Sequence, residues 1–148
     1  MSALVSKNSY VNKNAHVLGN AKMYGSAVLK DKAVISGNVK MYDISQVTEN
    51  AMVSGDVRIA GAAIIAGNTK VFGNCHIQGE ADIRSVNDWV SMVHDGKVIT
   101  LYKSRVKEGY EINIDGVNTN LVEISVTISP KLARYLNNLV KDKKWFRK

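Results

Sequence analysis

An aliphatic side chain returns at every sixth residue from Val5 through Ile77, and what separates two returns is small, polar or glycine. Set in register, residues 5–82 read as thirteen unbroken phrases: VSKNSY, VNKNAH, VLGNAK, MYGSAV, LKDKAV, ISGNVK, MYDISQ, VTENAM, VSGDVR, IAGAAI, IAGNTK, VFGNCH and IQGEAD. A repeat of fixed period outranks other sequence signals, because each unit buries its apolar face only against its neighbours. The fifth residue of each phrase is small or β-branched, as at Ser9, Ala15, Val39, Thr69, Cys75 and Ala81. It stands two residues before the next aliphatic, so on an extended strand both point to the same side. That side is the expected core. Glycine fills the third position in eight of the thirteen phrases and asparagine the fourth in seven. Both residues accept positive φ at low cost, so the chain is expected to turn there, once per phrase.

A short strand, a turn and a small inward residue describe a coil with three flat sides and eighteen residues per turn. The phrase pattern resembles the hexapeptide-repeat superfamily, whose best-known members are trimeric acyltransferases, and its GNAxV style is similar to repeat proteins of bacteria and bacteriophages. The resemblance covers more than half of the chain. It implies an all-β solenoid, a left-handed parallel β-helix, although most parallel crossovers are right-handed. It also implies a homotrimer about an axis parallel to the solenoid. Thirteen phrases make about four and a third coils, roughly 20 Å long at the usual strand spacing.

Residues eighteen apart should stack, which assigns each outer face. One face carries Lys22, Lys40, Arg58 and His76 beside Tyr24, Tyr42, Ala60 and Gln78. A second carries His16, Val34, Met52 and Lys70 beside Leu18, Ser36, Ser54 and Phe72, and a third carries Tyr10, Val28, Gln46, Ile64 and Asp82. Apolar side chains on the last two faces call for cover by other copies or by the C-terminal segment.

The phrase fails after Ile83. Residues 89–103 read as a hairpin around Asp95-Gly96, a strong two-residue turn signal. Two further strands are expected at 109–115 and 121–128, the second alternating Val122, Ile124, Val126 and Ile128 to one side. Ser129-Pro130 then supplies a helix cap and a first-turn proline, and Leu132, Leu136, Leu139 and Val140 follow at helical spacing. The division expected is a β-helix at 1–84 and a small β-rich cap with a terminal α-helix and basic tail at 85–148.

Composition adds that the chain folds, being 45% hydrophobic and 22% charged. Its net charge of +7 is concentrated at the end, where residues 131–148 hold seven Lys or Arg against one Asp. The first ten residues lack a secretory pattern and the longest uncharged run, 59–69, is too short to span a bilayer. A cytoplasmic protein of a bacterium or an infected host cell is expected, with no membrane partner. One cysteine leaves no internal disulfide framework and no Cys-rich zinc site.

Candidate chemistry is sparse. The resemblance implies acyl transfer with a His base in a cleft between solenoids, yet the phrases run without an interrupting loop and no residue matches a catalytic motif. His16 and His76 fall on different faces and several coils apart, too far for the short bonds of a shared zinc ion. Cys75 sits at an inward position, as a core residue does. No catalytic residue, metal or cofactor is assigned. Binding candidates are Lys22, Lys40 and Arg58 with Tyr24 and Tyr42, then Phe72, then Lys143, Lys144, Trp145 and Arg147 of the tail. Stacked like charges cost stability, so the ladder suits an anionic partner. Cations interleaved with aromatic rings in the tail suit a nucleic acid or an interface, or else the rings dock the tail against the cap. The expected function is non-enzymatic binding through protein–protein contacts, of the kind used by bacteriophage inhibitors of host defence complexes such as anti-CRISPR proteins. The alternatives are an acyltransferase with an inter-subunit site and a nucleic-acid-binding module.

Overall fold

The computed structural model describes residues 4–145. Its strands follow in chain order as β1 (Leu4–Val5), β2 (Tyr10–Val11), β3 (His16–Val17), β4 (Lys22–Met23), β5 (Val28–Leu29), β6 (Val34–Ile35), β7 (Lys40–Met41), β8 (Gln46–Val47), β9 (Met52–Val53), β10 (Asp56–Ile59), β11 (Ile64–Ile65), β12 (Lys70–Val71), β13 (Asn74–Ile77) and β14 (Asp82–Ile83). They form three parallel sheets, ordered β1-β4-β7-β10-β13, β2-β5-β8-β11-β14 and β3-β6-β9-β12, called here the first, second and third sheets. Every pairing is offset by eighteen residues, as in Lys22 with Lys40 and Val34 with Met52. The result is a parallel β-solenoid of about four turns. Its interior is a column of the phrase aliphatics, Met23 through Ile83, with the small fifth residues between them, nearly all fully buried.

From Gly19 to Gly79 the third residue of every phrase takes positive φ, and in many of these turns the fifth residue's N–H donates to the second residue's carbonyl, as from Ala33 to Lys30 at 3.1 Å. Asparagine at the fourth position does not share that conformation, contrary to expectation; only the third residue needs it. The corners pile so closely that a Cβ built on Gly55 lies 2.7 Å from the Gly73 carbonyl oxygen. Where the third residue is not glycine it is often an acid, and the stacking supplies the reason. Asp31, Asp43 and Glu49 take positive φ while their carboxylates accept from the N–H groups of Glu49, Gly61 and Gly67 in the next coil, at 3.1, 2.9 and 2.7 Å.

Beyond β14 a single 3-10 turn at Val86–Asp88 leads to an antiparallel sheet of β15 (Trp89–His94), β16 (Lys97–Lys103), β17 (Tyr110–Ile114) and β18 (Val117–Thr119). Two Asp-Gly pairs, Asp95-Gly96 and Asp115-Gly116, make its tight turns with positive φ at both residues, the demand of a type I′ hairpin. Period-two alternation along β16 divides its work. Ile99 and Leu101 pack under the helices, whereas Thr100 and Tyr102 face the open end of the solenoid.

Residues 121–128, expected as a strand, form the helix α1 (Leu121–Thr127), followed by α2 (Pro130–Lys143). The place of a strand is already taken by β18, which follows the second Asp-Gly turn. The Asn120 side chain then caps α1 by accepting from the Glu123 N–H at 2.8 Å, and Ile124 is buried under α2 while Val122 and Val126 stay outside. Helix α2 begins as expected, with Ser129 accepting from Leu132 N–H and Pro130 in the first turn. Its buried face of Leu132, Ala133, Leu136 and Val140 rests on the cap sheet, so it leaves the third sheet of the solenoid uncovered.

Candidate binding faces

The first sheet places Lys22, Lys40, Arg58 and His76 side by side, each the Cα partner of the next. The repeat dictates this: an outward residue at the sixth position of one phrase recurs three phrases later, one strand spacing away. Among the described residues, the side chains of Lys22, Lys40 and Arg58 make no ion pair and no hydrogen bond. The row lines a groove of about 560 Å³ with Asn20, Asn38, Asp56 and Asn74 on its flank. Asn38 donates to the Asp56 carboxylate at 3.1 Å, which fixes that wall.

Beside the cations runs the column Tyr24, Tyr42, Ala60, Gln78. The two tyrosine rings stack at 5.1 Å between centroids and 10° between planes. Ala60 then interrupts the column and opens a second cavity of about 330 Å³, lined by Tyr42, Arg58, Ala60, His76, Ile77, Gln78, Asp115 and Gly116. Its upper wall comes from the cap. The Gln78 amide donates to the Gly116 carbonyl at 2.9 Å, and the Asp115 carboxylate is held by the Val98 N–H at 2.8 Å. Burial lowers the His76 pKa below its ordinary value, the Arg58 charge adds to that, and Asp115 opposes it. These effects favour the neutral imidazole, and the fixed positive charge of the groove is that of Lys22, Lys40 and Arg58.

The third sheet presents a different face. Leu18, Met52 and Phe72 are exposed at 49, 46 and 57% and Val34 is half-buried, with Ser36 and Ser54 between Leu18 and Phe72 in one column and Lys70 beyond Met52 in the other. Phe72 meets Trp89 edge to face at 5.7 Å, so the apolar side chains of this face reach the residue that closes the solenoid core.

In the described part of the tail, Trp145 is not a free stacking platform. Trp145 is buried at 4% exposure inside the cap cluster, and its indole N–H donates to the Asn87 carbonyl at 3.2 Å. A ring held in that way has no face for a base, so of the two readings of this residue the docking of the tail against the cap is the one observed. Lys143 ends α2 and Lys144 follows it in left-handed conformation, while Arg147 lies outside the described residues.

Groups with catalytic potential lie apart. Burial pushes the Cys75 thiol up to about 12, His16 belongs to the third sheet, and His94 sits at a hairpin turn beside Asp95 at 3.4 Å. Among the described residues no group of three His, Cys, Asp or Glu side chains comes close enough to hold a metal ion, and no helix is long and apolar enough to cross a membrane.

The sequence pointed to the cations and the two tyrosines, placed Ala60 and Gln78 in their column without assigning them a role, and passed over Asp115. Ala60 and Gln78 carry the signal of their column, whereas Asp115 reaches the groove only because the cap folds back over β13. No family model, no curated protein and no solved structure matches the chain, so the faces are interpreted from their own residues.

Proposed function

We propose that the protein is a non-enzymatic binding module that acts through protein–protein contacts made by the outer faces of its solenoid. The supporting observation is the exposure of Leu18, Met52 and Phe72, interspersed with Ser36, Ser54 and Lys70, on a face that the chain's own helices do not cover. A face of that kind on a stiff sheet favours a protein surface, because apolar contact gains most where little entropy remains to be lost. The buried Trp145 weakens the nucleic-acid alternative, and the inaccessible Cys75 thiol and scattered histidines lend no support to catalysis. In this proposal the coil is left-handed and of the hexapeptide-repeat type. Three copies close about an axis parallel to it through the third sheet, and the trimer's free faces occlude a surface on another protein assembly, as an inhibitor would.

Light scattering tests the assembly. The expected mass is three times 16.2 kDa, and Met52→Glu with Phe72→Glu should yield a folded monomer of unchanged circular dichroism. A wild-type protein that stays monomeric at micromolar concentration overturns the proposal.

A further inference from the structure

The first sheet holds a site that protein contacts through the third sheet do not use. Its tyrosine stack ends at Tyr42, because the next member of the column is Ala60, and the space a third ring would fill is the 330 Å³ notch. One face of that space is the Tyr42 ring and the opposite wall is Gln78 with Gly116, fixed by their mutual hydrogen bond. A slot of one ring's thickness between an aromatic face and a rigid wall selects a flat ligand.

Charge selects the remainder of the ligand. Arg58 lines both cavities and stands two residues before Ala60 on the same outward side, about 7 Å along the chain. Lys40 and Lys22 continue from Arg58 down the groove at strand spacing, all three without an anionic partner among the described residues. Asp115 stands at the opposite, cap-side end. A ring in the notch would thus have Arg58 on one side and Asp115 on the other; along the strand the next outward residue after Arg58 is Asp56, whose carboxylate Asn38 engages, so an anionic substituent must turn at Arg58 toward Lys40, away from the cap.

We propose that this composite groove binds a nucleoside phosphate, its base continuing the tyrosine stack over Ala60 and its phosphates lying on Arg58 and Lys40. The base face meets Tyr42, the ribose spans the step from Ala60 to Arg58, and a second phosphate reaches Lys40. The site is independent of the apolar side chains on the third sheet.

Calorimetry on the full chain with ADP, GDP, CDP and UDP, and with the corresponding monophosphates, the corresponding nucleosides and inorganic phosphate as partial ligands, tests the site. At least one diphosphate should bind, and more tightly than either part. Ala60→Tyr fills the notch by extending the stack, and should abolish binding while leaving the melting temperature at or above that of the wild type. Tyr42→Ala should weaken binding about tenfold, as loss of a stacking face does, and Lys40→Gln should weaken a diphosphate more than the corresponding monophosphate. Failure of all four diphosphates to bind overturns the proposal. So does undiminished binding to Ala60→Tyr or Tyr42→Ala, or binding of a single-stranded oligonucleotide without binding of any diphosphate.

Discussion

At the third position of a phrase the backbone asks for positive φ and the neighbouring coil asks for the absence of bulk, and these demands separate along the stack. Gly55 has φ +85° and Gly73 has φ +87°, so both lie where an L-residue is strained. A Cβ on Gly55 meets the Gly73 backbone at 2.7 Å, whereas a Cβ on Gly73 meets nothing within 4 Å. Gly73→Ala should therefore cost about 1–2 kcal/mol, the left-handed penalty alone. Gly55→Ala should cost more than twice that, because the coils must also part. Urea denaturation of the two variants decides the matter, and equal losses would mean that corner stacking contributes no constraint. The acids obey the same logic with a different remedy. Asp43 bears the φ of 58° and gains an acceptor role toward the Gly61 N–H, which glycine cannot fill.

The elements of the cap are explained by what the solenoid leaves unfinished. Strand β13 ends its sheet, and its outward amides would be bare on a free edge. They are met by side chains: the His76 N–H by the Thr100 hydroxyl at 3.1 Å, the Gln78 N–H by the Tyr102 hydroxyl at 3.1 Å and the Glu80 N–H by the Glu111 carboxylate at 2.9 Å. Tyr102 is fully buried, donates in turn to Asn118 at 3.2 Å, and its phenol pKa is raised well above the ordinary value, chiefly by burial. Tyr102→Phe keeps the ring but strands the Gln78 N–H, so a loss of about 1–3 kcal/mol is expected. Amide hydrogen exchange at Gln78 should quicken in that variant more than at Met41, deep in the same sheet. Uniform quickening would assign the loss to the whole fold instead. Arg105 reinforces the joint by donating to the Ala62 and Ala81 carbonyls at 2.7 and 3.2 Å, which ties a cap loop to two successive coils.

For the molecule as a whole, the cap sheet is the partition between two cores. Trp89 and Tyr102 belong to the solenoid column, while Ile99, Leu101 and Ile112 pack with Leu132, Leu136 and Trp145 on the other side. Solenoid stability is a sum of neighbour terms, so losing one end need not unfold the middle. A chain ending at Arg84 should retain its β signal in circular dichroism but associate through the bared edge of β13, visible as concentration-dependent growth in sedimentation. A well-behaved product with the same association state as the full chain would show that the cap is dispensable for edge protection. The same partition separates the binding faces: the exposed apolar side chains lie along the third sheet, and the cationic groove runs along the first up to Asp115.

The amino-acid sequence by itself determined the solenoid, its core column, the stacking of residues eighteen apart and hence the adjacency of Lys22, Lys40 and Arg58 with Tyr24 and Tyr42. Those features are local and repeated: a six-residue period with a turn in each phrase leaves every residue one possible neighbour, the residue one coil away. Only the tertiary structure decided the rest. The alternation of Val122, Ile124, Val126 and Ile128 fits a strand, but β18 already occupied that edge and an Asn120 cap with one buried isoleucine sufficed for a helix. Trp145 among lysines fits a nucleic-acid platform, but a cap core short of apolar surface took the ring inward. Asp115 joined the groove because β13 needed acceptors and the sheet that supplied them carried its turn along. In each case the outcome depended on which backbone edge or apolar surface was left open by a part of the chain far away in sequence, a quantity that local pattern does not encode.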